Sequence, residues 1–235
     1  MKIEYLGHSA FYVEEKNVNF VIDPFISQNP MAQKFGIKLE DILAKKPKYC
    51  FITHGHWDHL GDAIYFAKQG STIFAIFEII NYLARFVPNL KAESMNFGTV
   101  EKEDMKATLI QVPHSSSIIE ENGNIVYLGA SGSYLIEVNG KKVYHLGDSF
   151  LTKEFELVGS FYKPDIVLIP IGGRFTMNIK EAVEALKMLK PKYAIPMHYN
   201  TWPPIETNPE LFKELAEKET QTKVIVLKPG EKFEF

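Results

Sequence analysis

The chain has a single cysteine, Cys50, in 235 residues. One thiol closes no intramolecular disulfide, so the fold does not depend on an oxidising compartment. Long apolar runs are also missing. The longest, such as 167–171, fall far short of a bilayer's thickness. The opening Met1-Lys2-Ile3-Glu4-Tyr5-Leu6-Gly7-His8 has no signal-peptide stretch, which makes the cytoplasm the expected location. Nor is there any concentration of positive charge. The formal charge is -3, with acids and bases mixed along the chain. This argues against a nucleic-acid or membrane-binding surface, which needs clustered Lys and Arg, while leaving room for a locally basic pocket. With no low-complexity stretch, like-charge block or Pro/Gly/Ser linker, residues 1–235 read as one domain.

Apolar side chains are plentiful. They make up 46% of the chain and include 17 Phe and 11 Tyr, enough for a large core and against long disorder. Strands are expected over 2–14, 19–22, 49–53, 71–77, 165–169, 193–197 and 223–227, and two more between 98 and 112 around a turn at 102–104. Asn139-Gly140 between 134–138 and 142–146 is the strongest hairpin signal. Helices are expected over 40–46, 62–69 closed by Gly70, 78–86, 179–189 and 209–218. Strands thus occur both in hairpins and in alternation with helices. That mixture predicts an α+β architecture of two mixed sheets packed face to face with helices outside.

Chemistry concentrates at Thr53-His54-Gly55-His56-Trp57-Asp58-His59, where three of only seven histidines join a carboxylate at the end of a strand. Imidazole nitrogen and carboxylate oxygen are common ligands for zinc, manganese and iron. A chain leaving a strand into a tight loop turns such side chains toward one point, and Gly55 is expected to relax the sharp bend. His114, Asp148 and His198 each follow a predicted strand, where rigid scaffolds place site residues. Together they supply what a two-metal centre needs.

The order His54-x-His56-x-Asp58-His59, His114, Asp148, His198 resembles the metallo-beta-lactamase superfamily along nearly the whole chain. The resemblance implies a four-layered αβ/βα sandwich with the site at one edge of the two sheets. It also implies that His54, His56 and His114 bind one ion, that Asp58, His59 and His198 bind a second, and that Asp148 bridges them. Leu6-Gly7-His8-Ser9, Ile22-Asp23-Pro24-Phe25, Pro170-Ile171-Gly172 and Pro196-Met197-His198-Tyr199-Asn200-Thr201 further resemble small metal-dependent hydrolases similar to L-ascorbate-6-phosphate lactonases. Gly173-Arg174 and Ser149 depart from that narrower pattern; neither is a predicted ligand, and the first is expected to alter the pocket.

Two cations about 3.5–4 Å apart share a water and lower its pKa toward about 7, giving a hydroxide nucleophile. The expected activity is therefore hydrolysis of a small-molecule ester, lactone or phosphoester. Two divalent ions are expected, zinc first, with manganese or iron as alternatives. Asp58 has a second expected role in proton transfer. His8 is read as a structural imidazole or as a substrate contact beside the ions, and Asn200 as a donor to a developing oxyanion. Asp23 is read as a turn former ahead of a role holding a ligand histidine, and Ser115-Ser116-Ser117 as a turn. His145 is read as packed, Cys50 as a buried small hydrophobe, and Arg174 as either a phosphate contact or a solvated cation.

A nuclease or phosphodiesterase is the alternative enzyme, disfavoured by the absence of a basic arm. A metal-binding regulatory module without turnover is the alternative outside enzymes. The expected partner is a small-molecule substrate, with neither nucleic acid nor membrane, and the resemblance admits a homo-oligomer.

Overall fold

A computed structural model describes residues 1–235. Its frame is two seven-stranded sheets built on one plan. The first contains β1 (Lys2–Gly7), β2 (Ala10–Glu15), β3 (Val18–Ile22), β4 (Tyr49–Phe51), β5 (Thr72–Ile76) and β6 (Ala92–Met95) in that order. The C-terminal strand Lys232–Glu234 closes its outer edge beside β1. The second follows the order Lys223–Val224, Tyr193–Met197, Ile166–Pro170, Lys141–His145, Gly132–Val138, Lys106–Gln111 and Gly98–Glu101. In both sheets one half is antiparallel and the other parallel, β3 to β6 in the first and residues 141–145 through 223–224 in the second.

The hairpin at Asn139-Gly140 forms as expected, with both residues at positive φ. The strand expected over 223–227 pairs only at Lys223–Val224. A separate two-stranded hairpin, Ser117–Ile119 with Ile125–Tyr127, was not legible in the sequence. Its strands are three residues each and largely exposed, so no buried face left a pattern.

The larger buried cluster runs between the sheets, and the Phe51 and Tyr134 rings meet across it at 5.1 Å. Helices Ala63–Gln69 and Phe77–Ala84 cover the outer face of the first sheet through Phe66, Ile79 and Leu83. Gly70 ends the former helix in the left-handed conformation. Helices Ile179–Leu189 and Pro209–Glu219 cover the second sheet, burying Leu186 and Phe212 against Tyr144 and Val167. The former starts in a capping box, where Asn178 and Glu181 satisfy each other's backbone N–H. The result is the expected αβ/βα sandwich. No helix is long and apolar enough to cross a membrane.

Backbone hydrogen bonds join the two sheets along one edge. His198 N donates to His8 O at 2.8 Å, and Gly132 N donates to Thr53 O at 3.0 Å. His145 Nε2 lies 2.9 Å from Ser9 O, which explains why this fully buried imidazole is structural, as read from the sequence. The strand exits of the second sheet along this edge are packed too closely for side chains at Gly147 and Gly172. A Cβ on Gly172 would stand 2.2 Å from His198 O, and one on Gly147, at φ 57°, would stand 2.7 Å from Gly132 O. We expect Gly172→Ala to lower stability by about 1–3 kcal/mol through overpacking. A denaturant titration with a wild-type midpoint would refute that.

Candidate metal centre

The joined edge is where the strand ends deliver their polar side chains. The loop after β1 carries His8, the end of β3 leads into Asp23, and β4 leads into His54. His56 caps a short helix, Trp57–Leu60, that presents Asp58 and His59. The sequence suggested a tight loop here. Four residues are too few to show helical periodicity, so the turn was not legible. From the second sheet come His114 after Lys106–Gln111, Asp148 after Lys141–His145, and His198 after Tyr193–Met197.

Gly55 serves a different purpose from the one expected. Its φ is not positive, and a Cβ there would lie 2.5 Å from the Leu128 side chain. Close packing, not backbone freedom, excludes a larger residue. Ser116 supports the same point: its hydroxyl accepts from Gly55 N at 3.0 Å and donates to Leu128 O at 3.2 Å. Ser115 Oγ lies 3.2 Å from His56 Nε2. The serines after His114 do not form the expected turn: Ser115 and Ser116 reach back to the His54–His56 segment, and Ser117 opens the strand Ser117–Ile119.

The residues gather into two groups, His54, His56, His114 and Asp148, and His8, Asp58, His59 and His198. In the first, His56 Nδ1 lies 3.0 Å from His54 Nε2 and 3.3 Å from His114 Nε2. Nitrogens bound tetrahedrally to zinc at about 2.0–2.1 Å stand roughly 3.3 Å apart, so this spacing fits one ion. Asp148 faces both groups. Its Oδ2 is 2.9 Å from His198 Nε2 and 3.6 Å from His114 Nε2, and its Oδ1 is 3.2 Å from His59 Nε2. Asp148 Oδ1 and His59 Nε2, the atoms that face each other in the centre, are buried without a hydrogen-bond partner. Buried polar atoms are rarely left so, and a ligand set without its ion is a recognised exception.

Asp23 is the residue whose role the sequence ranked wrongly. It is fully buried at φ 46°, and its carboxylate accepts from Thr53 N at 2.8 Å, Thr53 Oγ1 at 2.7 Å and His59 Nδ1 at 2.7 Å. It holds a ligand-type histidine by the ring nitrogen facing away from the centre. A turn-forming Asp and a supporting Asp look alike in sequence. His8, also fully buried, places Nε2 3.0 Å from Asp58 Oδ2 and Nδ1 2.9 Å from Thr201 Oγ1. Thr201 was not singled out in the sequence, and only its contact with His8 reveals it. Asn200 is exposed, and its Oδ1 accepts from Thr207 N at 2.8 Å. Arg174 is exposed with its guanidinium 5.4 Å from the Phe175 ring centroid. Cys50 is buried, and burial raises its thiol pKa.

Burial sets the charge states of the centre. It lowers His54 and His56, and it lowers His8 and His114 to about 4, so these rings are neutral near pH 7. Burial acts the same way on His59, but Asp148, Asp23 and Asp58 outweigh it and raise that pKa well above the usual value. Burial would raise the Asp58 and Asp148 carboxyls, yet both are lowered. His59 and His8 outweigh burial at Asp58, and His198 and His59 outweigh it at Asp148. Neutral imidazoles and ionised carboxylates are the protonation states in which these side chains bind metals.

Residues 2–198 match the beta-lactamase superfamily domain. A UPF0173 metal-dependent hydrolase of Desulforamulus reducens is 45% identical over 236 residues, covering 98% of this chain and 98% of the relative. Another of that name from Methanopyrus kandleri is 44% identical over 238 residues, covering all of both chains. The solved structure of a metallo hydrolase from the archaeon Ignicoccus hospitalis superposes with a TM-score of 0.88 at 37% identity, covering 100% of this chain and 98% of its own. Likeness of this extent in both sequence and fold makes the chain a member of the UPF0173 metal-dependent hydrolases of the beta-lactamase superfamily.

Proposed function

We propose that the chain is a dinuclear hydrolase of a small-molecule ester, lactone or phosphoester. The observation that carries this reading is the meeting of two donor groups at one carboxylate, Asp148. His54, His56 and His114 would hold one divalent ion and Asp58, His59 and His198 the other, with Asp148 shared. Zinc suits the nitrogen-rich set best, with manganese or iron as alternatives. Bound there, the ions would supply Lewis acidity and acidify a water for attack at neutral pH. The donors span residues 8 to 198, which supports residues 1–235 acting as one domain.

The roles of the protein's own groups follow from their partners. An efficient general base has a pKa near the working pH, whereas Asp58 is lowered from the usual carboxylate value. That favours Asp58 as an anionic ligand over a proton acceptor. An ionised Asp58 only accepts hydrogen bonds, so His8 carries its proton on Nε2 and accepts from the Thr201 hydroxyl at Nδ1. His8 thereby orients Asp58. Asn200 is not proposed as an oxyanion donor: its Oδ1 is engaged by Thr207 N, and it lines a cleft with Lys34, Tyr199 and Glu210 that holds none of the grouped donors.

Metal analysis tests the assignment. Wild-type protein purified without chelator should carry about two equivalents of one transition metal. His56→Ala and His198→Ala should each lose metal and turnover, and full activity in either would remove it from the centre. His8→Ala is expected to weaken the second ion by about 10–100-fold, as loss of a supporting group does, and leave the first in place. Chelator competition showing equal loss of both ions would contradict that.

The two ions should respond differently to pH. Asp148, Asp23 and Asp58 raise the His59 pKa well above its usual value, so an ion it ligates competes with a proton that this ring holds more tightly than the others do. Affinity there should rise with pH by up to about tenfold per unit. The first group binds through rings already neutral, so its affinity should stay nearly flat and fall only as pH drops toward about 4, where His114 protonates. Competition titrations giving the same pH slope for both ions would refute this difference.

A further inference from the structure

We propose that Phe25, Trp57 and Trp202 form the subsite for the apolar part of an uncharged ester or lactone, best filled by an aromatic group. This deepens the hydrolytic reading and rests on it. The three rings form one wall. Phe25 and Trp57 meet edge to face at 4.8 Å, Trp57 and Trp202 at 5.8 Å, and Phe25 and Trp202 at 6.1 Å. The wall reaches the metal centre through His8, whose ring lies 4.8 Å from Trp202 and 5.8 Å from Phe25. Each ring comes from a different segment of the site. Phe25 follows Asp23 by two residues, Trp57 directly precedes Asp58, and Trp202 follows His198 by four.

Core packing does not account for this wall. Phe25 is buried, but Trp57 is 47% exposed and Trp202 only partly covered. An exposed tryptophan held edge to face against a buried ring and one residue from Asp58 is a rigid apolar platform. A notch of about 180 Å³ opens beside it, lined by Phe25, Trp57, Ile64 and Tyr65 together with Ser27, Gln28, Gly61 and Asp62, so the apolar face is offered by the rings and not by the notch as a whole.

Charge points the same way. No Lys or Arg lies within three residues, on either side, of Asp23 or of any of the eight grouped donors. Arg174 is exposed and lies over the Phe175 ring. A phosphomonoester is a dianion, and proteins ordinarily recognise it with Arg or Lys in addition to any ion. An uncharged ester or lactone needs no such cation and draws its specificity from apolar contact.

Trp57 and Trp202 are the chain's only two tryptophans, so tryptophan emission reports on the wall alone. Zinc-loaded protein is titrated with benzamide and, separately, with acetamide. Benzamide should change the emission saturably, and acetamide should not at the same concentrations. In parallel, kcat/KM is compared for methyl phenylacetate, methyl acetate and phenyl phosphate. The aryl ester should be preferred over both. The aryl-to-alkyl ratio should fall at least tenfold in Trp202→Leu and in Trp57→Leu, each checked for retained zinc.

Ester turnover with an unchanged ratio, or a preference for phenyl phosphate, would overturn the subsite and leave the hydrolytic reading standing. Absence of turnover on every substrate would fail the hydrolytic reading. The benzamide titration then decides the wall by itself, and no saturable change would overturn it.

Discussion

The Asp23 carboxylate has no exposure to solvent, and a buried carboxylate is tolerable only if its oxygens are fully engaged. Its partners pass that constraint on to the whole centre. Thr53 donates its hydroxyl to Asp23, which leaves the hydroxyl oxygen to accept from His54 Nδ1 at 3.0 Å. His59 donates to Asp23 from its own Nδ1. Both rings therefore turn their Nε2 atoms inward, His54 toward one donor group and His59 toward the other. One carboxylate fixes the tautomer of a histidine in each half of the centre.

Backbone conformation adds a second constraint. His8, Asp23 and His198 all have φ between 46° and 58°, a region that costs a residue with a Cβ about 1–2 kcal/mol. Such strain persists where surrounding structure determines it and collects at functional sites. Here the determinants are visible. The His198 N to His8 O hydrogen bond ties two of these residues to each other across the sheets, and Asp23 is locked by Thr53 and His59. The same bonds that join the sheets hold the imidazoles in conformations they would not adopt alone.

Much of this was legible in the sequence because it rests on local patterns. Hydrophobic runs ending at His54, Asp148 and His198 marked strands and their exits, and Asn139-Gly140 marked its hairpin. Seven of the eight grouped residues had been read as metal ligands, because histidine is scarce in this chain and clusters around residue 54; His8 had been read as structural or as a substrate contact. What escaped was set by contacts distant in sequence. The reason for Gly55 is Leu128, more than seventy residues on. The role of Asp23 depends on Thr53 and His59, and that of Thr201 on His8. Short elements escaped for another reason. The helix Trp57–Leu60 and the strands flanking residues 120–124 span little more than one period each, so no pattern repeats within them.

The division of donors between the sheets has a consequence for how the protein comes off the ribosome. The first sheet supplies His8 and His54 through His59, while the second supplies His114, Asp148 and His198. During vectorial synthesis the His54, His56, His114 and Asp148 group cannot close until residue 148 has emerged. The His8, Asp58, His59 and His198 group must wait for residue 198 of 235. The nascent chain thus exposes three histidines and an aspartate well before their partners exist, and the second group's earliest moment of closure falls fifty residues after the first's.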